Sequence, residues 1–319
     1  MAFTTKSRLP FVPAGPQGKR LMSRASPETL GLVLGVFAVV LFGATLPFTR
    51  VAVMEIDPWF VTTGRAALAG SVAGAVLLVL RRPLPPRELL LPLAVIAVTL
   101  TFGFSALMAL AMQTASSAHG GVVIGVLPLA TGVAGAFVAG ERPSAAFWFW
   151  GAIGAALVVA FTLQGTTGRM SAADGLLLLA VASAAIGYAI SGRLARTMPG
   201  WEVISWAVTM ALPVNLVAAL VLLPEEPGAI SPAAWGSFAY LGLVSQYLGF
   251  FAWNAAMAMG GVSRVSQTQL LQPFVTLAIA AVLLGETVDA VTVGFACAVI
   301  VVVALGRRAP VARAALPAG

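Results

Sequence analysis

Six polar or aromatic residues lie close together in the second half of the chain, within stretches that are otherwise apolar. They are Gln246, Tyr247, Trp253, Asn254, Gln267 and Gln272. Their amide, phenol and indole groups form hydrogen bonds but are neither strong nucleophiles nor a set of metal ligands. With Trp206, they suit the binding of a small zwitterion or polar aromatic solute, and not of a highly anionic one. The alternative is that these groups only join helices, at about 1 kcal/mol or less each.

His119, Gln113 and Arg65 are further candidate site residues. His119 is the single histidine of the chain, and a metal site needs more ligands than one imidazole, so neither a metal nor another cofactor is predicted. His119 is either an interfacial residue at a helix start or part of a cavity. An arginine within an apolar stretch is costly. Arg65 therefore pairs with backbone carbonyls, binds a carboxylate substrate, or reaches the outer interface.

The elements that position these residues are predicted to be membrane helices. The chain is 60% hydrophobic and 9% charged, whereas about a quarter of the residues of a soluble domain are charged. Its apolar stretches are continuous and about 20 residues long, which suits helices that cross a bilayer. The ten predicted spans are 29–49, 58–80, 89–111, 118–139, 144–164, 174–194, 201–223, 233–257, 263–284 and 288–306.

The distribution of charge predicts the orientation of these spans. Fifteen lysines and arginines fall on one side of the predicted membrane, and only Arg50 and Arg169 fall on the other. By the positive-inside rule, both termini are cytoplasmic. The net charge of +7 then reflects topology, so the bilayer is the expected partner and nucleic acid is not. Cys297, the single cysteine, lies in the last span and allows no intrachain disulfide.

A repeat relates the two halves of the chain. A shift of 145 positions aligns Pro128 with Pro273, and Gly140-Glu141 with Gly285-Glu286. Because each half has five spans, the second half must cross the membrane in the opposite sense, as in many secondary transporters. The predicted organisation is a tail (1–28), two inverted five-helix repeats (29–164 and 174–306) and a second tail (307–319).

Motifs that occur once in each repeat suggest hinges and gates. Pro128 and Pro273 fall near the middle of their spans, where proline frees a backbone carbonyl, and we interpret both as hinges that line a cavity. A packed kink is the alternative. Glu141 and Glu286 follow a glycine at the end of a span, where they cap or gate rather than bind substrate. Arg65 is the fifth residue of this hinge or gate group.

These residues resemble a known family. The paired proline and Gly-Glu motifs, Gly64-Arg65, and the segment WNAAMAMGGVSRVS at 253–266 are similar to the EamA branch of the drug/metabolite transporters. The resemblance covers residues from about 30 to 306 and implies an all-α carrier of ten helices in a bacterial inner membrane. The branch includes exporters of aromatic and other neutral amino acids.

The sequence therefore favours a secondary transporter, and not an enzyme. The expected substrates are small metabolites, above all neutral or aromatic amino acids, moved by alternating access in a protein that we expect to be monomeric. An intramembrane enzyme acting on lipid or isoprenoid substrates would need clustered carboxylates, histidines or a metal, and a channel would need rings of like groups. None of the eleven acidic residues lies at the centre of a span, which argues against a buried proton relay.

Overall fold

The computed structural model describes residues 26–138, 142–163, 171–285, 290–306 and 308–312, and helices dominate these ranges. Within them the chain forms ten helical segments in sequence. They are Pro27–Val53, Pro58–Val79, Arg87–Met112, Ser117–Val138, Ala145–Leu163, Ala172–Leu194, Gly200–Val221, 232–260, Val262–Leu284 and Ala290–Gly306. Seven of the described helices are long and apolar enough to cross a membrane. The ten segments occupy the positions predicted from the sequence, and we refer to them as the first to the tenth helix.

The helix boundaries follow local sequence signals. Asp57 accepts hydrogen bonds from the backbone N–H groups of Trp59 and Phe60 at 2.8 and 3.1 Å, so it caps the second helix, in which Pro58 occupies the first turn. A reciprocal pair of bonds between Ser171 and Asp174 caps the sixth helix in the same way. Gly285 ends the ninth helix in the left-handed conformation with φ of 73°, which glycine adopts without strain.

Besides a break at Ala44 in the first helix, four helices contain π-helical or 3₁₀ turns, and these turns occur at equivalent places in the two halves. The third and eighth helices contain π-helical turns, and the fourth and ninth contain 3₁₀ turns. The π segments are Ala97–Phe104 and Leu241–Leu248, and the 3₁₀ segments are Ile124–Val126 and Gln267–Leu271. Pro128 and Pro273 follow the 3₁₀ turns and lie in the first turn of a new α-helical piece, Leu127–Val138 and Gln272–Leu284. There, each proline lacks only a donor that the first turn leaves unpaired.

The helix contacts show the symmetry of the repeat. The first helix packs on the eighth, as the sixth packs on the third, and the fourth packs on the sixth, as the ninth packs on the first. The second helix packs on the seventh and the fifth on the tenth. Exchanging the two halves leaves this set of contacts unchanged. This pattern is expected of two inverted five-helix repeats around a pseudo-two-fold axis.

The two ends of the bundle differ in charge. Because successive helices alternate in direction, the N-terminal end, here the basic end, carries most of the described arginines: Arg81, Arg82, Arg87, Arg142, Arg193, Arg196, Arg264 and Arg308. Among the described residues, Arg50 is the one arginine or lysine at the opposite end. Two short antiparallel strands, Arg142–Pro143 and Val311–Ala312, pair at the basic end. The charge asymmetry agrees with a cytoplasmic basic end.

The outer surface of the bundle is apolar. Leu78, Phe137 and Val282 are exposed by 79%, 86% and 89%, and many other large hydrophobic side chains point outward in the same way. In water such a surface would aggregate, whereas hydrocarbon chains solvate it. The chain is therefore a multi-pass membrane protein.

Candidate functional site

A central cavity lies where the interrupted helices meet. The two π segments contribute Leu100 and Phe104 from the first repeat, and Ser245 and Gln246 from the second. Ile124 from the 3₁₀ turn of the fourth helix and Gln272, next to the 3₁₀ turn of the ninth, complete this inner set. The other lining residues come from the first, second, third, sixth and eighth helices: Phe42, Thr45, Leu46, Arg65, Met108, Tyr188 and Phe250.

The cavity is closed and narrow in this conformation. It has about 380 Å³ of unfilled space, divided between side chains so finely that the walls must part to admit a solute. Of the residues that line it, only Phe104 is partly exposed, and all the others are buried. The site is thus buried within the bundle.

Arg65 supplies the positive charge of the cavity. Its side chain is only 2% exposed, and one Nη2–H group donates a hydrogen bond of 3.2 Å to Ser245 Oγ. Ser245 Oγ also lies 2.8 Å from Thr45 Oγ1, so the first, second and eighth helices meet at this point. The Nε–H group of Arg65 has no partner, and none of the described carboxylates pairs with the guanidinium. Arg65 is therefore a buried cation with unused donors.

Two amides that face the same cavity each have a buried polar atom without a partner among the described residues. Ser105 donates a hydrogen bond of 3.2 Å to Gln246 Oε1, while Gln246 Nε2 has no partner. On the ninth helix, Gln272 is 6% exposed and its Oε1 lacks a donor. Buried polar groups nearly always find partners. Three such atoms, Arg65 Nε, Gln246 Nε2 and Gln272 Oε1, belong to residues that line one cavity, which makes it the candidate binding site.

An aromatic cluster closes the cavity toward the basic end. It consists of Phe42, Tyr188, Phe250 and Trp253, with ring centroids 5.1 to 6.4 Å apart. Trp253 follows the cavity residues along the eighth helix, which runs toward the basic end, and Phe42 precedes Thr45 on the first helix, which starts there. These rings pack against one another on the side of the cavity that faces the basic end.

Polar contacts close the opposite end. Arg50 Nη1 donates hydrogen bonds to the carbonyls of Met112 and Ala115, at 3.0 and 2.6 Å, and so ties the first helix to the end of the third. Glu55 accepts bonds of 2.7 and 2.6 Å from the hydroxyl and the backbone N–H of Ser231. These bonds hold the pKa of Glu55 below its ordinary value of 4.5. The contact is thus intact at neutral pH and is lost as the pH falls through this lowered pKa.

His119 pairs with Asp174 at this same end of the bundle. Its Nε2 contacts the carboxylate Oδ1 of Asp174, whose other oxygen caps the sixth helix through Ser171. The pair joins the starts of the fourth and sixth helices. His119 does not line the central cavity.

Two other candidate residues, Asn254 and Tyr247, form hydrogen bonds between helices outside the cavity. Asn254 is fully buried, accepts a bond of 2.7 Å from Ser191 Oγ and donates one of 3.0 Å to the carbonyl of Gly200. Tyr247 shares a hydrogen bond of 2.8 Å with Ser205. These contacts join the eighth helix to the sixth and seventh. Neither residue belongs to the cavity lining.

The remaining candidates lie further from the cavity. Trp206 lines a groove between the second and seventh helices at the basic end, and Gln113 is exposed at the end of the third helix. Gln267 is buried with its amide unpaired. Its Nε2 lies 3.2 Å from where a Cβ of Gly151 would be, so it points toward the fifth helix.

The predicted hinge residues fall in two groups. Pro128 and Pro273 adjoin the 3₁₀ turns beside the cavity, and the Pro128 carbonyl accepts a bond of 3.3 Å from Ser266 Oγ across the repeat boundary. Glu141 and Glu286 lie outside the described residues. Of the whole candidate set, the structure brings Arg65, Gln246 and Gln272 together in the cavity, with Trp253 in the adjacent aromatic cluster.

Sequence reasoning missed some of the cavity residues. Tyr188 is one of three tyrosines of the chain and lies in an apolar span, a signal of the kind that singled out Gln246. Thr45, Ser105 and Ser245 are too common in membrane helices to stand out. Phe42 has no signal in a chain with 17 phenylalanines.

The inverted repeat, the interrupted helices and the closed central cavity together define a membrane transporter fold. The family model described as "EamA-like transporter family" matches the chain twice, at residues 29–164 and 171–306. The chain therefore belongs to the EamA-like transporter family.

Individual relatives agree with this assignment. The chain is similar to the "Uncharacterized transporter YdeK" of Bacillus subtilis (strain 168), with 41% identity over 88% of this chain and 98% of the relative. It is also similar to the "Probable amino-acid metabolite efflux pump" of Salmonella typhimurium (strain LT2), with 28% identity over 80% and 87% of the two chains. A solved crystal structure at 20% identity matches 87% of this chain and 98% of its own with a TM-score of 0.69, which shows the common fold.

Proposed function

We propose that this protein is a secondary transporter that exports neutral amino acids, including aromatic ones, across a bacterial inner membrane. The observation that carries the proposal is the central cavity, at which the interrupted segments of both repeats meet. Transporter sites are commonly built from broken helices at the interface of inverted repeats. The name of the Salmonella relative, a probable amino-acid metabolite efflux pump, supports the same class of substrate.

The lining of the cavity fits such a substrate. Its walls are mostly apolar or aromatic, as Phe42, Leu100, Met108 and Phe250 illustrate, with a few polar groups at defined positions. Pockets of this composition bind small molecules that have a polar and an apolar part. A highly anionic metabolite would need more than the one guanidinium of Arg65.

Alternating access requires that the contacts at one end of the bundle separate while those at the other end remain intact. In our proposal the aromatic cluster around Trp253 separates to admit solute from the cytoplasm. The contacts of Arg50 and Glu55 then open to release it on the other side. The 3₁₀ turns before Pro128 and Pro273 are the bending points, because their hydrogen bonds are weaker than those of the flanking α-helices. A single chain contains both repeats, so we propose a monomeric carrier.

The enzyme alternative has little support. Within the described residues, no group of three or more histidines, cysteines, aspartates or glutamates comes together. The relatives at 41% and 28% identity are named as a transporter and an efflux pump. Transport explains the cavity without an added reaction.

Counterflow in liposomes tests the proposal. The purified protein is reconstituted into vesicles loaded with one unlabelled amino acid, and entry of the labelled compound is followed for a panel of neutral, acidic and basic amino acids. We expect counterflow above protein-free vesicles for neutral amino acids, aromatic ones included. If none of the panel shows counterflow, the proposed function is wrong.

A matched pair of variants tests the location of the site. Gln246→Leu removes an amide from the cavity, whereas Asn215→Leu removes one from a groove between the third and seventh helices. We expect a loss of about tenfold or more in counterflow for Gln246→Leu alone, since a cavity amide contacts the solute. Equal effects of the two changes would place the route elsewhere.

A further inference from the structure

We infer that Arg65, Gln246 and Gln272 form a subsite for the backbone of an α-amino acid. In this subsite, Arg65 and Gln246 bind the carboxylate of the substrate and Gln272 accepts a hydrogen bond from its ammonium group. The assignment rests on the proposed function, because it concerns the cavity through which transport takes place. It adds which atoms recognise the substrate and which groups a substrate must carry.

The buried charge of Arg65 indicates that the substrate contains a carboxylate. A guanidinium with five N–H donors is always charged in proteins, and burying it without a counter-ion is unfavourable. Arg65 donates one hydrogen bond to Ser245, and its Nε–H group has no partner among the described residues. A carboxylate is planar, carries the missing charge and can accept two parallel bonds from the guanidinium. A substrate carboxylate is therefore the group that this site lacks.

The orientation of Gln246 places a second hydrogen-bond donor at the same cavity. Ser105 occupies the acceptor end of this amide, so the donor end, Nε2, is the end left free. Arg65 bonds to Ser245, the residue before Gln246 in the chain. Both residues line the same cavity. The free donors of Arg65 and Gln246 thus face one space from the second and eighth helices.

Gln272 provides the opposite kind of group. It reaches the cavity from the ninth helix, and its buried acceptor, Oε1, has no donor among the described residues. An ammonium group offers three donors and no acceptor. Donors on one side and an acceptor from another helix match the two charged ends of an α-amino acid. Because Arg65 belongs to the first repeat and Gln272 to the second, the bound substrate bridges the two halves.

The remaining walls limit the side chain. They are apolar at Leu46, Leu100, Met108 and Ile124, so an apolar or aromatic side chain is favoured. Among the described residues that line the cavity Arg65 is the one cation, so a second carboxylate, on the substrate side chain, would lie against apolar walls without a partner of its own. The subsite therefore selects solutes with one carboxylate, one ammonium group and an apolar body.

A ligand series on the unaltered protein gives the first test. Purified protein is titrated with L-phenylalanine, its methyl ester, phenethylamine and 3-phenylpropionate, and binding is followed by thermal stabilisation and competition in counterflow. The ester and the amine lack the carboxylate, and we expect both to bind weaker than phenylalanine by about tenfold or more. Phenylpropionate keeps the carboxylate but lacks the ammonium group, so its affinity should lie between that of phenylalanine and those of the ester and the amine. Binding of the ester or amine as tight as that of phenylalanine would overturn the inference.

Two variants of Arg65 give the second test. Arg65→Gln should weaken phenylalanine binding by about tenfold or more and leave the methyl ester unchanged, whereas Arg65→Lys should retain part of the preference. In the absence of ligand, Arg65→Gln should melt no lower than the unaltered protein, because it removes a buried charge without a counter-ion. A lower melting temperature with unchanged preference for the carboxylate would make Arg65 a structural residue.

The outcomes separate this inference from the proposed function. Counterflow of amines or other solutes without a carboxylate leaves a transporter but refutes the subsite. Absence of counterflow for the whole amino-acid panel refutes the function itself. If Arg65→Gln fails to fold, the ligand series on the unaltered protein still decides the question.

Discussion

Buried amides in this bundle differ in whether their donor and acceptor are paired, and the difference has consequences for stability and binding. Asn254 uses both ends of its amide, with Ser191 and with the Gly200 carbonyl, and so connects three helices. Beside the cavity, Gln246 Nε2 and Gln272 Oε1 have no partner among the described residues. A satisfied amide stabilises the fold, whereas an unpaired one costs free energy that a ligand can recover.

The first prediction follows for Asn254. Asn254→Ala leaves the Ser191 hydroxyl and the Gly200 carbonyl without their bonds, so we expect a loss of about 1–3 kcal/mol of stability. The measurement is the apparent melting temperature of the purified protein in detergent. Gln113→Ala, which truncates an exposed amide, is the control and should change it little. Equal melting of the two variants would contradict a structural role for Asn254.

At the residue scale, sequence reasoning found the polar residues but not their directions. Arg65, Gln246 and Gln272 stand out because polar groups are costly within apolar spans. Gln267 and Asn254 stand out for the same reason, yet one faces the fifth helix and the other joins helices. Which face of a helix meets the cavity depends on packing between helices distant in sequence, and single-chain periodicity does not encode it when every face is apolar.

At the scale of elements, the interruptions of four helices matter most. Pro128 and Pro273 predicted the breaks in the fourth and ninth helices, since proline ends the hydrogen-bonding pattern before it. The π turns at Ala97–Phe104 and Leu241–Leu248 were not predicted, because their sequences contain no proline or other signal that marks a π turn. Their equivalent positions in the two repeats and their contact with the cavity fit the association of π turns with functional sites.

The contact between the second and seventh helices gives the second prediction. A Cβ on Gly70 would lie 2.7 Å from the backbone oxygen of Val208, whereas on Gly74 the nearest atom, from Thr209, is 3.6 Å away. Gly70→Ala therefore forces the helices apart and should cost about 1–3 kcal/mol. Gly74→Ala on the same helix face is the matched control and should melt like the unaltered protein. Comparable melting of both variants would mean that this packing is looser than described.

At the scale of the whole molecule, the positions of the helical segments agree with the sequence prediction. Composition and the repeat determine them, because a bilayer admits few alternatives to helices that cross it. The closed state of the cavity was not predictable. It depends on the aromatic cluster around Phe42 and Trp253 and on the bonds of Arg50 to Met112 and Ala115, which connect residues far apart in the chain.

The third prediction concerns orientation. We expect both termini and the basic end to be cytoplasmic, because arginines are retained on that side. In a Cys297→Ser background, an impermeant thiol reagent should label Glu225→Cys in intact cells. It should label Leu84→Cys, at the exposed basic end, only after the cells are permeabilised. The reverse pattern would invert the topology.

The last prediction is that transport is not obligatorily coupled to protons through a buried carboxylate. A proton carrier needs a group that titrates within reach of the central cavity, and among the residues that line it none is acidic or a histidine. His119 is held by Asp174 at the end away from the basic side, and Glu286 lies outside the described residues. We therefore expect counterflow to proceed without a pH gradient and solute accumulation to be unchanged when an imposed gradient is collapsed. Uphill accumulation that is driven by acid on one side and abolished by His119→Ala or Glu286→Gln would show that one of these peripheral groups carries the proton, and the cavity would then have to extend to it during the cycle.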